Sequence, residues 1–224
     1  MISIERYESK YIVPVDVVDE IVDAVRAYCS LDKHSQAQPD HYYQVNSLYF
    51  DTPSLLFLRR RLESLDDRYN MRLRFYGEEG MSPYFLEVKR KIRGLVQKSR
   101  SRIDRSCLDS DFLANAATSL DLESTDQERE NLQRFVRLAT THKIEPKVFL
   151  SYRRMAFQSE VDDYARVTFD RDLLCRRQQD MHFVSRSQMS PYRWQGPSSS
   201  SPRCILELKS TLAIPTWMIH LIRV

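Results

Sequence analysis

The residues able to do chemistry in this chain sit at alternate positions. In Asn70-Met71-Arg72-Leu73-Arg74-Phe75-Tyr76, the residues Arg72, Arg74 and Tyr76 share one parity and Met71, Leu73 and Phe75 the other. The run FLEVKRK repeats the pattern with Glu87, Lys89 and Lys91, and IERYESKYI repeats it with Arg6, Glu8 and Lys10. A strand turns successive side chains to opposite sides, so each run gathers cations and one carboxylate on a single sheet face. A sheet curled with that face inward forms a basic tunnel holding a few acids, suited to a long polyanion carrying a metal ion. Any antiparallel sheet with one wet face also alternates polar and apolar residues. Here, however, the polar positions are rich in Arg and Lys on several strands, and a carboxylate recurs beside them as Glu8, Glu87 and Glu207. Like charges facing each other across neighbouring strands repel. A sheet with so many cations therefore predicts a bound anion.

The bulk composition narrows the classes. With 224 residues and 42% hydrophobic content, the chain can build one large domain with a proper core. Charged residues make up 29%, yet the formal net charge is only +3, which argues against a generic nucleic-acid binder. The positive charge is local: Lys89, Arg90, Lys91, Arg93, Lys98, Arg100, Arg102 and Arg105 face only Asp104 in their stretch. Cys29, Cys107, Cys175 and Cys204 are irregularly spaced, which reads as reduced thiols in a cytosolic protein. The charged start reads as a strand rather than as a signal peptide, no apolar run approaches a membrane span, and the His residues lack zinc-ligand spacing.

The elements that must position these residues follow from periodicity. Strands are predicted over 3–12, 45–51, 70–77, 84–92, 96–103, 147–158, 164–170 and 203–209, about eight in all, a number compatible with a small closed barrel. Helical spacing covers 15–29 behind Pro14, and 128–140. Residues 55–62 fit a short helix or a strand extension. Residues 31–43 read as loop, and 176–202, with its serine run, as a long mobile loop. An apolar tail from Trp217 begins a further helix.

The segments IERYESKYI, SLYFDTP, MRLRFYG, FLEVKRK, YRRMAFQ and ILELK, in this order along nearly the whole chain, resemble the vacuolar transporter chaperone (VTC) family of polyphosphate polymerase domains. That family belongs to the triphosphate tunnel metalloenzymes, related to the CYTH phosphatases and cyclases. The resemblance implies an α+β fold: an antiparallel eight-stranded barrel forming a tunnel with a basic lumen, flanking helices and a divalent metal, Mn²⁺ or Mg²⁺, in a single domain over 1–224. It implies that Lys10, Arg72, Arg74, Lys89, Arg154 and Arg166 grip the reacting phosphates. Arg6, standing where the hydrolase branch has the first Glu of its opening motif, and Lys98 are further phosphate ligands. Glu207 is the implied metal carboxylate, with Glu87 and Glu8 as additional acids. Arg100, Arg102 and Lys209 share parity with these residues and are placed at the tunnel mouth as phosphate-binding candidates. Arg90 and Arg153 have the opposite parity and are expected to be solvated, and Tyr49 and Asp51 to be structural. In the family a C-terminal helix brings another lysine to the tunnel; the residues up to Val224 supply none, which bears on full catalytic competence.

The implied activity is ATP-dependent polyphosphate polymerisation, with ATP and inorganic polyphosphate or triphosphate as partners and no nucleic acid. Arg6 leans toward this branch. A metal-dependent tri- or polyphosphatase would use water at the same site. A non-catalytic polyphosphate or nucleotide sensor, signalling to a membrane-protein partner, is the alternative of a different class. The expected location is cytoplasmic, either free or at the inner face of a membrane through such a partner.

Overall fold

Alternation produces strands because it gives each strand one apolar face to bury. The computed structural model describes residues 6–93, 95–108, 112–113, 125–162, 164–194, 202–211 and 213–222, with Arg6 described in its backbone alone. Eight long strands are present: β1 (Arg6–Pro14), β3 (Tyr43–Asp51), β4 (Arg68–Tyr76), β5 (Tyr84–Ile92), β6 (Leu95–Ile103), β7 (Glu145–Ser159), β8 (Ala165–Arg177) and β10 (Arg203–Thr211). Their hydrogen-bonded order is β1-β10-β8-β7-β3-β4-β5-β6, and the short strands β2 (Cys29–Leu31) and β9 (Ser190–Pro191) pair with β7 and β8. The sheet is antiparallel, as in the register between β1 and β10 and through β3, β4, β5 and β6. The α+β class and the eight antiparallel strands are as expected.

The chain divides into two compact units, each with its own core. The first comprises Met1–Gln44, Tyr152–Leu173 and Pro191–Val224. In it α1 (Val18–Arg26) buries Val18, Val22 and Val25, one helical stripe, among Phe157, Val167, Phe169 and Leu206. After Pro215, α5 (Thr216–Leu221) adds the buried Trp217 and Met218 to the same core. The second unit comprises Val45–Ser151 and Leu174–Ser190. There α4 (Asp126–His142) opens with a capping box, Thr125 Oγ1 accepting from Glu128 N and Glu128 Oε2 accepting from Thr125 N. Such a box satisfies two otherwise orphaned donors. The helix packs Leu132, Phe135 and Ala139 among Leu48, Phe50, Met71, Leu73 and Phe75.

Two segments read as loop carry structure. Within 31–43 lies α2 (Lys33–Gln36), opened by Asp32, whose Oδ1 accepts from Ser35 N at 2.9 Å. Four residues are too few for apolar periodicity to reveal. Within 176–202, Phe183 and Met189 are buried in the core of the second unit, and the Gln178 amide donates to Asp180 and His182. Residues 195–201 of that segment lie outside the described residues. Among the described residues, no helix is long and apolar enough to cross a membrane.

The SLYFDTP segment ends β3 and starts α3 (Leu56–Leu62), so 55–62 is a helix rather than a strand extension. Asp51 is buried; its Oδ1 accepts from Thr52 N at 2.7 Å and Phe57 N at 2.9 Å, and its Oδ2 from Leu58 N at 2.9 Å. Thr52 Oγ1 accepts from Leu56 N at 2.9 Å. Together they satisfy the free N–H groups of the first turn, which no intrahelical carbonyl can reach. Asp51→Ala should therefore cost about 2 kcal/mol and lower the melting temperature by roughly 4–8 °C for a chain of this size. Thermal unfolding by circular dichroism measures it, and an unchanged midpoint would refute the capping role.

Candidate functional site

In the second unit, the register assembles a charged row across four strands. Tyr49 on β3 faces Arg72 on β4, Arg72 faces Glu87 on β5, and Glu87 faces Arg100 on β6. The opposite face of β4 and β5 carries the core residues Met71, Leu73, Phe75, Leu86 and Val88. Alternation then obliges Arg72, Arg74, Glu87 and Lys89 to take the other face. Arg72 Nε donates to Glu87 Oε2 at 2.7 Å, and Arg72 Nη1 donates to the Tyr49 hydroxyl at 3.1 Å. Lys98 Nζ and Arg100 Nε stand 3.3 Å and 3.4 Å from Glu87 Oε1. Arg74 is buried and donates to Ser47 Oγ at 3.3 Å. Arg100 also lies over the Phe85 ring at 3.6 Å.

Glu87 is the one carboxylate on this face of β4, β5 and β6. The cations there are Arg68, Arg72, Arg74, Lys89, Lys91, Lys98, Arg100 and Arg102. Some cations are opposed by acid in the register, but Lys89 and Lys98 face each other directly. Burial by itself would raise the Glu87 pKa; Arg72, Arg74 and Lys98 more than cancel this and bring it down to about 2. Burial pushes the Lys98 ammonium down, partly offset by Glu87 and reinforced by Arg72 and Arg74. One acid thus holds several cations together and leaves a surplus of positive charge.

The first unit has its own charged face, of different balance. Glu207, with a side chain 4% exposed, faces Lys10 on β1 and Thr168 on β8. Lys10 Nζ stands 3.0 Å from Glu207 Oε1, and Lys209 Nζ donates to Oε2 at 2.9 Å. Arg154 is clamped by Asp170 through two hydrogen bonds of 2.6 Å and 2.7 Å, and its Nη2 lies 3.7 Å from Glu207. The next row is Glu8, Lys209 and Arg166, with Arg166 Nη2 donating to Asp32 Oδ2 at 2.8 Å. Burial would raise the Glu207 pKa; Lys209, a hydrogen bond with Glu8, Lys10 and Arg154 outweigh it and hold the carboxyl below the usual range. Acids and cations nearly balance here.

Glu8 and Glu207 lie on either side of one ammonium, Lys10 Nζ standing 3.6 Å from Glu8 Oε1 and 3.0 Å from Glu207 Oε1, which bears on a metal. Among the described residues, no three acidic, His or Cys side chains are grouped to hold an ion. Mg²⁺ and Mn²⁺ suit oxygen donors, and Mg²⁺ usually takes one or two carboxylates and completes its shell with water and substrate phosphates. Glu8 and Glu207 would make such a pair, with Lys10, Lys209 and Arg154 already beside Glu207; Glu87, met likewise by Arg72, Lys98 and Arg100, would offer a single carboxylate.

The predicted residues therefore fall into two groups: Arg72, Arg74, Glu87, Lys89, Lys98, Arg100 and Arg102 in the second unit, and Glu8, Lys10, Arg154, Arg166, Glu207 and Lys209 in the first. Arg102 is exposed, and the side chain of Arg6 lies outside the described residues. Arg90 and Arg153 sit on the opposite parity as expected, but each is paired rather than merely solvated. Arg90 makes two hydrogen bonds to Asp67, and Arg153 donates to Asp40 at 2.6 Å. Sequence reasoning missed three residues that hold the arginines, Asp170, Asp32 and Ser47, while Tyr49, expected to be structural, holds Arg72 through its hydroxyl. Asp170 could have been found, because it shares the parity of Arg166 on β8. Asp32 could not, because it is 134 residues away from its partner.

The depressed Glu87 pKa sets a pH window. A carboxyl at about 2 in the folded chain and 4.5 as its ordinary value contributes stability that is full above about pH 4.5 and is lost as pH falls toward 2. The difference corresponds to roughly 3 kcal/mol. Glu87→Gln should remove most of it at pH 7 and flatten the stability profile below pH 4.5. Urea unfolding at a series of pH values measures both; parallel profiles for the two proteins would refute the assignment.

The sequence matches the VTC domain over residues 5–224. Among solved structures, it is similar to a Bacillus halodurans protein named as a candidate adenylate cyclase, at 10% identity, with 96% of this chain and 83% of that chain covered and a TM-score of 0.48. A Hippeastrum protein named as a candidate adenylyl cyclase, and described as having a dominant triphosphatase activity, gives 14% identity, 98% and 85% coverage and a TM-score of 0.47. No curated protein matches the sequence. The VTC match takes in both charged faces and almost every residue between the termini, and the chain belongs to the VTC domain family.

Proposed function

We propose that the chain is an ATP-dependent polyphosphate polymerase, moving the γ-phosphoryl group of ATP to the end of a polyphosphate chain. The observation that carries this reading is the cationic face of β4, β5 and β6, where Glu87 is the one carboxylate among Arg72, Arg74, Lys89, Lys98 and Arg100. Cations held this close in a partly buried face raise one another's energy, and a polyanion relieves that repulsion. Membership of the VTC domain family supports the same ligand class.

In the transfer, a terminal phosphate oxygen of the acceptor forms a bond to the γ-phosphorus while the bond from that phosphorus to the bridging oxygen of ADP breaks. The electron pair of that bond leaves with ADP. Such a transition state is loose, with charge spread over the equatorial oxygens, so catalysis is alignment plus electrostatics. Arg72 and Arg74 offer planar donors to those oxygens, and Lys89 and Lys98 offer point charges. Tyr49 and Glu87 fix the Arg72 guanidinium, and Asp170 fixes Arg154, so neither arginine reorganises when phosphate arrives. In the first unit, Lys10, Arg166, Lys209 and, from β1, Arg6 are its own phosphate-binding candidates. Glu8 and Glu207 would hold a divalent ion, which would supply charge neutralisation for phosphate. Glu87 would serve as a counter-charge to the arginines.

Incubation of the purified chain with ATP and Mn²⁺ or Mg²⁺ should give a polyphosphate ladder on a gel with matching release of ADP. Arg72→Ala should lower the rate by at least about a hundredfold, the scale of losing one oxyanion-type contact. Orthophosphate without a ladder would assign a triphosphatase. Binding of polyphosphate without turnover would assign a sensor.

A further inference from the structure

In the second unit, α3 turns a row of leucines to solvent. Leu58 and Leu62 stand one turn apart on its outer side. Leu55 just before the helix and Leu65 just after it extend the row, with spacings of three, four and three. All four are exposed, Leu62 the most at 74%. Phe57 takes the inner side, buried, with its ring against Tyr69 and His142. Helical geometry places Arg59 and Arg61 on the two flanks of the leucine row. Both are exposed, and neither side chain makes a hydrogen bond or ion pair among the described residues. The acids of the segment 55–66, Glu63 and Asp66, come after the last helical residue.

The row is firmly held. Asp51 and Thr52 cap its start. At its end Arg60 Nη1 donates to the Asp67 carbonyl at 3.1 Å, Arg90 grips the Asp67 carboxylate with two hydrogen bonds, and Leu65 N donates to the Arg60 carbonyl at 2.9 Å. Arg60 therefore serves the fold, and Arg59 and Arg61 do not. A convex ridge has no concavity for a small molecule. A second copy of the chain seated on it would bring two more arginines against these two, and like charges across an interface repel. A bilayer needs no matching groove. Leucines can enter its acyl boundary while the flanking guanidinium groups stay level with anionic headgroups. We propose that α3 seats this unit on a lipid surface with anionic headgroups. The proposal is independent of the polymerase reading and uses no residue of either charged face.

Co-sedimentation of the full chain with vesicles tests this, using phosphatidylcholine alone and an equal mixture with phosphatidylglycerol at physiological ionic strength. The unaltered protein is expected to bind the mixed vesicles about tenfold more tightly than the neutral ones. The double variant Leu58→Ser, Leu62→Ser should bind the mixed vesicles about tenfold more weakly, with an unchanged melting temperature. The double variant Arg59→Gln, Arg61→Gln should lose most of the preference for the mixed vesicles. The sheet face around Glu87 is itself cationic, and the leucine variant separates the two surfaces, because a purely electrostatic contact does not use leucine. Undiminished binding by that variant would place the contact on the sheet face and overturn the proposal. So would an unaltered protein that binds neither vesicle, or a preference that survives without Arg59 and Arg61. Sedimentation equilibrium supplies the remaining arm: a dimer of the unaltered protein that the leucine variant abolishes would assign the ridge to a second copy and overturn the proposal as well.

Discussion

Glu87 is the interaction on which the second unit's charged face depends. A carboxylate with a side chain 3% exposed is costly to bury unless it is paired and hydrogen bonded. Here it meets Arg72, Lys98 and Arg100, and each of those cations would in turn be poorly placed without it. The result is a set of positively charged side chains on one face, Arg72 held by hydrogen bonds and Lys98 and Arg100 by ion pairs of 3.3 and 3.4 Å. The same acid that stabilises the cluster leaves it net positive, because one negative charge is shared among several cations. Structure and ligand preference thus come from one arrangement.

The two units solve the problem of charge on a sheet face differently. Around Glu207 the acids Glu8, Asp170 and Asp32 stand near Lys10, Lys209, Arg154 and Arg166, and the charges close on themselves. Such a face carries less surplus positive charge to offer an anion. Around Glu87 there is no such closure, and phosphate oxygens are the natural complement.

Much of this was legible from alternation. The runs through Arg72, Glu87 and Glu8 assign the polar face correctly because a two-residue period survives in any antiparallel register. Resemblance carried Glu207 and Arg154, whose segments ILELK and YRRMAFQ are weak taken singly. The register was not legible: alternation places Arg72 and Glu87 on one face, but only the pairing shows that they stand opposite each other. Cations therefore face one another at fewer places than alternation alone suggests: acid opposes Arg72, Arg100 and Lys10, while Lys89 meets Lys98 and Arg166 meets Lys209. Contacts over long sequence separations were equally out of reach. Asp32 reads as a loop residue until α2 and β8 are in place, and the buried Phe183 hides within a polar segment.

A crystal structure of the chain with inorganic tripolyphosphate tests the central claim most directly. The account predicts anion density in contact with Arg72, Arg74 and Lys98, with the Arg72–Glu87 hydrogen bond intact. Density elsewhere on the molecule, with those three side chains unchanged and untouched, would contradict it.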